Sequence, residues 1–205
     1  MNLTEAQLRE HIERNLPSWE RATALCEAYL ENLSWYYRAI ERSQLMEELM
    51  PTVYKRKKKS VNKSSVEDPS TTGASNPIAL VIDPCCAQMI GYPQQFQKRD
   101  GDSTDETHLH DLALILMVFA SGAAGDLTQE QYNEEAETYQ YMARAALGLK
   151  SIFDGATLIT VQATSLLGAY HVFSARRANL ESAWLFFNIS YVLAASVSRT
   201  LDVII

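Results

Sequence analysis

The amino-acid sequence predicts an all-α fold, an antiparallel helical array of about six to seven helices with a long irregular insert. Apolar residues recur at steps of three and four on both sides of the insert, which is the helical period. The stretch His110–Leu127 contains fourteen consecutive uncharged residues between Asp111 and Asp126. A membrane span needs roughly 20 apolar residues, so this stretch favours a central helix that is buried on nearly all sides. Short joints between the last helices favour antiparallel neighbours.

Composition narrows the class of protein. The chain has 205 residues and a formal charge of -7, which argues against non-specific nucleic-acid binding by the chain as a whole. The first residues are charged throughout, so no secretory signal is visible. The three cysteines, Cys26, Cys85 and Cys86, have no disulfide or metal spacing. We therefore expect a protein of a reducing, intracellular compartment.

Residues 1–54 are predicted to form the N-terminal helical part of one domain. Thr4–Gln7 has the form of a capping box and opens a short helix that ends before Pro17. Ser18 is the predicted N-cap of the next helix, and Ser43 that of a short helix over Gln44–Met50 that Pro51 limits. The predicted buried stripe of the second helix consists of Trp19, Ala22, Leu25, Cys26, Tyr29, Leu30 and Leu33.

Residues 55–107 are predicted to be a basic and polar insert, either a loop or disordered. The insert opens with five consecutive cations, which are Lys55, Arg56, Lys57, Lys58 and Lys59. Such a run is typical of a nuclear-localisation signal or a phosphate-contacting patch. The alternative is a solvated loop whose like charges repel one another.

Residues 108–205 are predicted to form the helical core of the domain. A helix over Gln129–Lys150 follows the buried one, and its predicted inner face is Tyr132, Ala136, Tyr139, Ala143, Ala146 and Leu147. Asp154 is expected to cap a helix over Ala156–Phe173, which turns Leu158, Val161, Ser165, Leu166, Ala169, Tyr170 and Phe173 inward. Asn179 is expected to cap Leu180–Val197, with Leu180, Ala183, Trp184, Phe187, Tyr191 and Ala194 inward.

The sequence contains few groups of residues that could form a catalytic or metal-binding site. His108, His110 and Asp111 form the one dense group of metal-ligand types, but they lead into a helix without a third ligand at helical spacing. We therefore predict no metal site and expect solvated histidines near a helix start. Glu134, Glu135 and Glu137 are expected to be solvated carboxylates. The phosphate-binding, hydrolase and metalloprotease motifs are absent, so no catalytic residue is assigned and an enzyme is not expected.

Three stretches taken together carry a family resemblance: Leu16–Tyr54, His110–Leu127 and Glu134–Trp184. A Pro-led helix runs into aromatic residues at Trp35 and Tyr37, and an apolar helix ends in small residues. A helix closing on Ala-Arg-Ala-Ala-Leu then precedes Thr-Val-Gln-Ala and Ser-Ala-Trp. The ordered combination resembles the fungal-specific transcription factor domain, the middle homology region of regulators that carry a binuclear zinc cluster.

The resemblance implies a nuclear regulatory domain that modulates transcription by RNA polymerase II through protein or ligand contacts. It carries over no catalytic residue, and the ligand-binding residues are unknown. The family's cluster needs six spaced cysteines, which this chain lacks, so DNA and zinc binding would belong to a missing N-terminal domain. No cofactor is therefore expected in this chain. The expected partners are other transcription proteins or a second copy, and no membrane.

The sequence also stops where the family continues through further helices, so we expect a chain truncated at its C-terminus. Loss of an outer neighbour would expose Trp184 or Phe187, which favours association. An alternative is a stand-alone helical adaptor or dimerisation protein without DNA binding. A third interpretation is a small helical enzyme or ligand-binding bundle, for which the sequence offers no motif.

Overall fold

The computed structural model describes residues 5–55, 57, 108–126, 133–153, 155–174 and 179–204. In that part of the chain there are seven helices and no strands, which confirms the prediction of an all-α helical array. They are α1 (Glu5–Arg14), α2 (Trp19–Asn32), a π-helical segment (Gln44–Leu49), α3 (His108–Ala124), α4 (Glu134–Leu149), α5 (Leu158–Phe173) and α6 (Asn179–Ile204). The predicted insert lies outside the described residues, apart from residues 55 and 57.

Helix α3 is the centre of the fold. It packs against α2, α4, α5 and the π-helical segment, and Leu112 to Ala120 are all buried. A helix that is apolar around its whole circumference needs neighbours on every side, as the uncharged run predicts. The prediction of a buried central helix is therefore confirmed.

Two glycines bring α2 and α3 close together. A Cβ atom on Gly122 would lie 2.0 Å from the carbonyl oxygen of Leu25, so α2 packs directly on the backbone of α3. The two C-terminal ends meet at Gly125, whose carbonyl accepts a hydrogen bond of 3.1 Å from Asn32 Nδ2. The close contact therefore depends on the absence of a side chain at Gly122.

Helix α2 begins as the sequence predicts. The Ser18 hydroxyl accepts a hydrogen bond of 3.3 Å from the Arg21 backbone N–H, which makes Ser18 the N-cap. Ala22, Leu25, Cys26 and Tyr29 form the buried stripe. Trp19 was predicted to face the core but is about half exposed, and its ring packs edge-on against Tyr54.

The predicted end at Pro51 is wrong. The chain is helical from Arg42 through Lys55, and the segment Gln44–Leu49 within it is π-helical. The Met50 N–H bonds to the carbonyl of Leu45, five residues back. This wider turn relieves the clash that a proline ring makes with the carbonyl four residues earlier. Ser43 makes no capping hydrogen bond either, because its backbone is already helical.

Helices α4 and α5 bury the faces that helical periodicity indicates, with two corrections. Ala136, Tyr139, Ala143, Ala146 and Leu147 are buried in α4, whereas Tyr132 lies outside the described residues. Helix α5 begins at Leu158 and is capped by Thr157, through reciprocal hydrogen bonds with Thr160, whereas the predicted cap, Asp154, lies outside the described residues. Leu158 consequently sits in the first turn and is exposed.

Helix α6 packs antiparallel against α5, but on a different face from the predicted one. Its buried side chains are Ala183, Phe186, Ser190 and Leu193. Four of the predicted inward residues, Leu180, Trp184, Tyr191 and Ala194, are exposed. Because apolar residues occupy nearly the whole circumference of α6, periodicity alone cannot select the face that contacts the core.

Candidate functional site

The most prominent exposed feature is an apolar surface on α6, called here the α6 face. It consists of Leu180, Trp184, Leu185, Tyr191 and Val192, all of which are exposed. Trp184 is 71% exposed and Tyr191 is 76% exposed, although both are large aromatic side chains. Several large apolar side chains exposed on one helix typically mark an interaction site. Trp184 is exposed, against the inward position predicted for it, whereas Phe187 is only partly exposed and packs against the core.

The opposite side of α6 fixes how the α6 face is presented. Gly168 of α5 leaves room for the ring of Phe187, whose nearest carbon would lie 3.2 Å from a Cβ there. The Ser190 hydroxyl donates a hydrogen bond of 3.0 Å to the Thr164 hydroxyl, a polar contact inside the seam. Small and polar side chains on α5 therefore set the rotation of α6 and direct Trp184 outward.

A buried histidine lies in the same seam. His171 stacks in parallel on Phe186, with ring centroids 5.5 Å apart. Neither ring nitrogen of His171 has a hydrogen-bond partner among the described residues. Burial and the nearby Arg144 charge lower the pKa of His171 to about 4. The imidazole is therefore neutral at physiological pH and acts as an aromatic packing element.

The aromatic residues after α2 lie beside the same region. Tyr37 contacts Phe187 edge-on at 5.9 Å, and Tyr36 contacts Phe173 at 5.3 Å. Trp35 and Tyr36 remain largely exposed. The family resemblance singled out Trp35 and Tyr37, and the fold brings this segment to the α5 and α6 helices.

The structure describes two side chains of the basic run. Lys55 is exposed. Lys57 is partly buried, donates a hydrogen bond of 2.7 Å from Nζ to the carbonyl oxygen of Leu16, and lies 5.9 Å from the centre of the Tyr54 ring. Burial lowers the pKa of Lys57. Arg56, Lys58 and Lys59 lie outside the described residues. Lys57 therefore stabilises the fold, which a simple solvated run does not predict.

The histidine group at the start of α3 behaves differently from the expectation. His110 is buried rather than solvated, and its Nδ1 lies 2.8 Å from the Thr160 hydroxyl. Burial and the Lys150 charge lower its pKa, against smaller opposing effects of the Lys150 backbone and Asp111. The side chain of His108 is outside the description. Among the residues that the structure describes, no three potential metal ligands come together.

The acidic start of α4 holds an ion pair that the sequence did not indicate. Glu135 accepts two hydrogen bonds from Arg21, at 2.5 Å from Nη2 and 3.2 Å from Nε. The Tyr139 hydroxyl donates a third, of 3.2 Å, to Oε1. The hydrogen bond with Arg21 lowers the pKa of Glu135. Glu135 is thus partly buried and links α4 to α2 through its ion pair with Arg21. The neighbouring Glu134 is exposed as expected.

Cysteine chemistry has little support in the described residues. Cys26 is a buried free thiol, and burial raises its pKa to about 12. A thiol with such a pKa remains protonated and is a poor nucleophile. Cys85 and Cys86 lie outside the described residues.

By length and composition, one described helix segment, Leu180–Arg199, is long and apolar enough to cross a membrane. The apolar stretch of α3, Leu109–Ala124, is shorter. Only 22% of the segment Leu180–Arg199 is buried, and one segment of this kind does not by itself establish a membrane span.

Comparison with known proteins identifies no relative. No family model matches the chain, and no match was found among curated proteins or solved structures. The class that the fold defines is therefore an all-α helical array with an exposed apolar helix face. The resemblance to the fungal-specific transcription factor domain rests on the sequence stretches alone and stays a prediction.

Proposed function

We propose that this chain is a non-enzymatic regulatory domain of a nuclear transcription factor, which modulates transcription by RNA polymerase II through protein contacts on the α6 face. The exposure of Trp184 and Tyr191 is the observation that carries the protein-contact part of the proposal. Aromatic side chains that project from a rigid helix are frequent anchors of protein interfaces. The transcriptional part rests on the ordered family resemblance.

The proposal gives the chain no catalytic, metal-binding or cofactor-binding residue. The sequence has none of the motifs that would assign one. Zinc binding and DNA reading would belong to a further domain of the regulator, and partners would be other transcription proteins or a second copy. A membrane is not among the proposed partners.

The regulatory proposal is tested by tethering the full chain to a heterologous DNA-binding module upstream of a reporter gene. We expect the fusion to change reporter output, and Trp184→Ala with Tyr191→Ala to abolish that change. Tyr141→Ala is the matched control, since Tyr141 is an exposed aromatic on another helix. A fusion that behaves like the DNA-binding module alone would contradict the proposal.

Nuclear localisation is proposed from the run Lys55–Lys59. Because Lys57 makes a structural hydrogen bond, changing all five residues would combine loss of a signal with loss of stability. The cleaner variant changes Lys55, Arg56, Lys58 and Lys59 to Ala and retains Lys57. We expect a fluorescent fusion of this variant to leave the nucleus, and unchanged nuclear fluorescence would refute the import role.

The second candidate is a stand-alone helical adaptor or dimerisation protein without DNA binding. The same α6 face favours it, since it needs no further domain. The two candidates differ in the reporter assay: an adaptor binds its partner through α6 but leaves the tethered reporter unchanged.

A further inference from the structure

We propose that two copies of this chain form a two-fold symmetric dimer, in which α6 of one copy packs antiparallel against α6 of the other. The inference rests on the proposed function, because it names the partner of the same α6 face. Three features of α6 support it: the spacing of its exposed apolar side chains, the positions of its charges and the polar residue at its centre.

The exposed apolar residues recur at a spacing suited to a helix pair. Trp184 and Tyr191 are seven residues apart, and so are Leu185 and Val192. All four side chains are exposed. Seven residues are close to two turns, so each pair lies along one line on the helix surface. A seven-residue apolar repeat is the pattern with which two helices pack side by side at a shallow angle.

Two charges that flank the α6 face favour a second copy and one orientation. Helix α6 contains three charged residues, Glu181, Arg199 and Asp202, and the first two flank the exposed apolar residues. Glu181 and Arg199 are exposed, and their separation of eighteen residues equals five turns, which places them on the same side of α6. In an antiparallel pair centred at the level of Ser190, Glu181 of each copy lies opposite Arg199 of the other. A parallel pair would instead place like charges together.

The middle of the α6 face carries one polar side chain. Asn188 is exposed and donates a hydrogen bond of 2.7 Å to the backbone carbonyl of Trp184 on its own helix. In the antiparallel pair, the two copies of Asn188 lie about 6 Å apart along the helix axis, which follows from a rise of about 1.5 Å per residue. An amide at such a position typically fixes the register of a helix pair.

The first test is the solution mass of the full chain by light scattering over a dilution series. We expect twice the chain mass of 23.0 kDa. Trp184→Ala with Tyr191→Ala should weaken dimerisation at least about tenfold, because central aromatic anchors dominate interface energies. Tyr141→Ala, on α4, should leave it unchanged. A wild-type monomer, or a dimer indifferent to the α6 variants, overturns the proposal.

The second test determines whether the two α6 helices of the dimer are antiparallel or parallel. Glu181→Arg and Arg199→Glu should each weaken the dimer, and the combined exchange should restore it. With Cys85 and Cys86 changed to Ser, Asn188→Cys should be cross-linked to a second copy of itself by a short bifunctional thiol reagent, because the axial offset is too long for an unstrained disulfide. Glu181→Cys should cross-link only with a copy carrying Arg199→Cys. Efficient cross-linking of Glu181→Cys to itself indicates a parallel pair and overturns the antiparallel one.

A membrane is the competing occupant of the α6 face. We expect the full chain to stay unbound in flotation with vesicles of phosphatidylcholine and phosphatidylserine. Flotation that Trp184→Ala with Tyr191→Ala abolishes overturns the dimer in favour of lipid. A monomer whose tethered reporter output still depends on Trp184 overturns the dimer but leaves the proposed function intact. A dimer without reporter output supports the dimer and contradicts the proposed function.

Discussion

The backbone of Leu25 occupies the space that a side chain at Gly122 would need. A Cβ atom at Gly122 would lie 2.0 Å from the Leu25 carbonyl oxygen, well inside van der Waals contact. Backbone cannot swing aside as the end of a flexible side chain can. The contact joins α2 to the central helix α3, so it holds the N-terminal part of the fold on the core.

We therefore expect Gly122→Ala to lower the free energy of unfolding by about 3 kcal/mol, as overpacking in a rigid contact does. Urea unfolding followed by circular dichroism measures the loss. Gly148→Ala is the control, because Gly148 lies in α4 with nothing within 4 Å of its added Cβ. That variant should gain about 0.5–1 kcal/mol from helix propensity. Equal stability of the two variants would contradict the close approach.

His171 should make the fold sensitive to mild acid. Its folded pKa of about 4 lies below the ordinary value of 6.5. Between these values the unfolded chain binds the proton more tightly, so stability is fully present above about pH 6.5 and falls as the pH drops. From pH 7 to pH 5, this residue should cost roughly 1–2 kcal/mol.

His171→Leu removes that titration and keeps an apolar side chain against Phe186. We expect the variant to lose less stability than the wild type between pH 7 and pH 5, as judged from urea midpoints. The pH dependence of stability that remains in the variant should include a contribution from His110, whose pKa is also lowered by burial. Identical pH profiles for both proteins would show that the pKa of His171 is the same in the folded and unfolded states.

The stabilisation from the ion pair of Arg21 and Glu135 should be lost at a lower pH than the stabilisation that depends on His171. Because Arg21 lowers the pKa of Glu135, the stabilisation is present above the ordinary carboxyl value of 4.5 and is lost as the pH falls through the folded value. Glu135→Gln should cost about 1 kcal/mol at neutral pH, after allowance for solvent screening of this partly exposed pair. The two unfolding curves should converge in acid. Glu134→Gln, at an exposed neighbour, should change little at any pH.

Lys57 should contribute to stability although it belongs to a run of cations. Lys57→Ala removes the hydrogen bond to Leu16 and the contact with the Tyr54 ring, which should cost about 1 kcal/mol. Lys55→Ala is the matched control, because Lys55 is exposed. Thermal unfolding of the two variants distinguishes the structural contact of Lys57 from a general effect of removing one positive charge. Equal melting temperatures would mean that the Lys57 contact is energetically negligible.

The buried faces of helices are predictable where the pattern of apolar residues is unambiguous. The uncharged run of α3 predicted a buried helix, and the stripe of α4 named the buried residues Ala143, Ala146 and Leu147. The cap at Ser18 was also correct, since a cap depends on only a few neighbouring residues. These features are local, so a short stretch of sequence contains the information that fixes them.

Several residues at the candidate site were missed for identifiable reasons. Leu185 and Val192 lie outside the predicted inward stripe of α6, and their seven-residue spacing is the sequence signal that marks them as a pair. His171 was also missed, and its signal was a lone histidine in an otherwise apolar helix. The helix end predicted at Pro51 is wrong because a π turn avoids the steric clash that a proline makes in an α-helix. Glu135 was assigned to solvent because its partner, Arg21, is far away in sequence.

The pattern of apolar residues is sufficient to predict the all-α class, the central position of α3 and the buried faces of helices that have one polar side. Those properties follow from the period of apolar residues along each segment. The burial of Phe186 and the exposure of Trp184 on α6 depend on packing between helices, as do the contacts of His110 and Lys57 with residues distant in sequence. A helix with apolar residues on most of its circumference has no preferred face of its own. The shape of its neighbour, here the space at Gly168, chooses the face that packs.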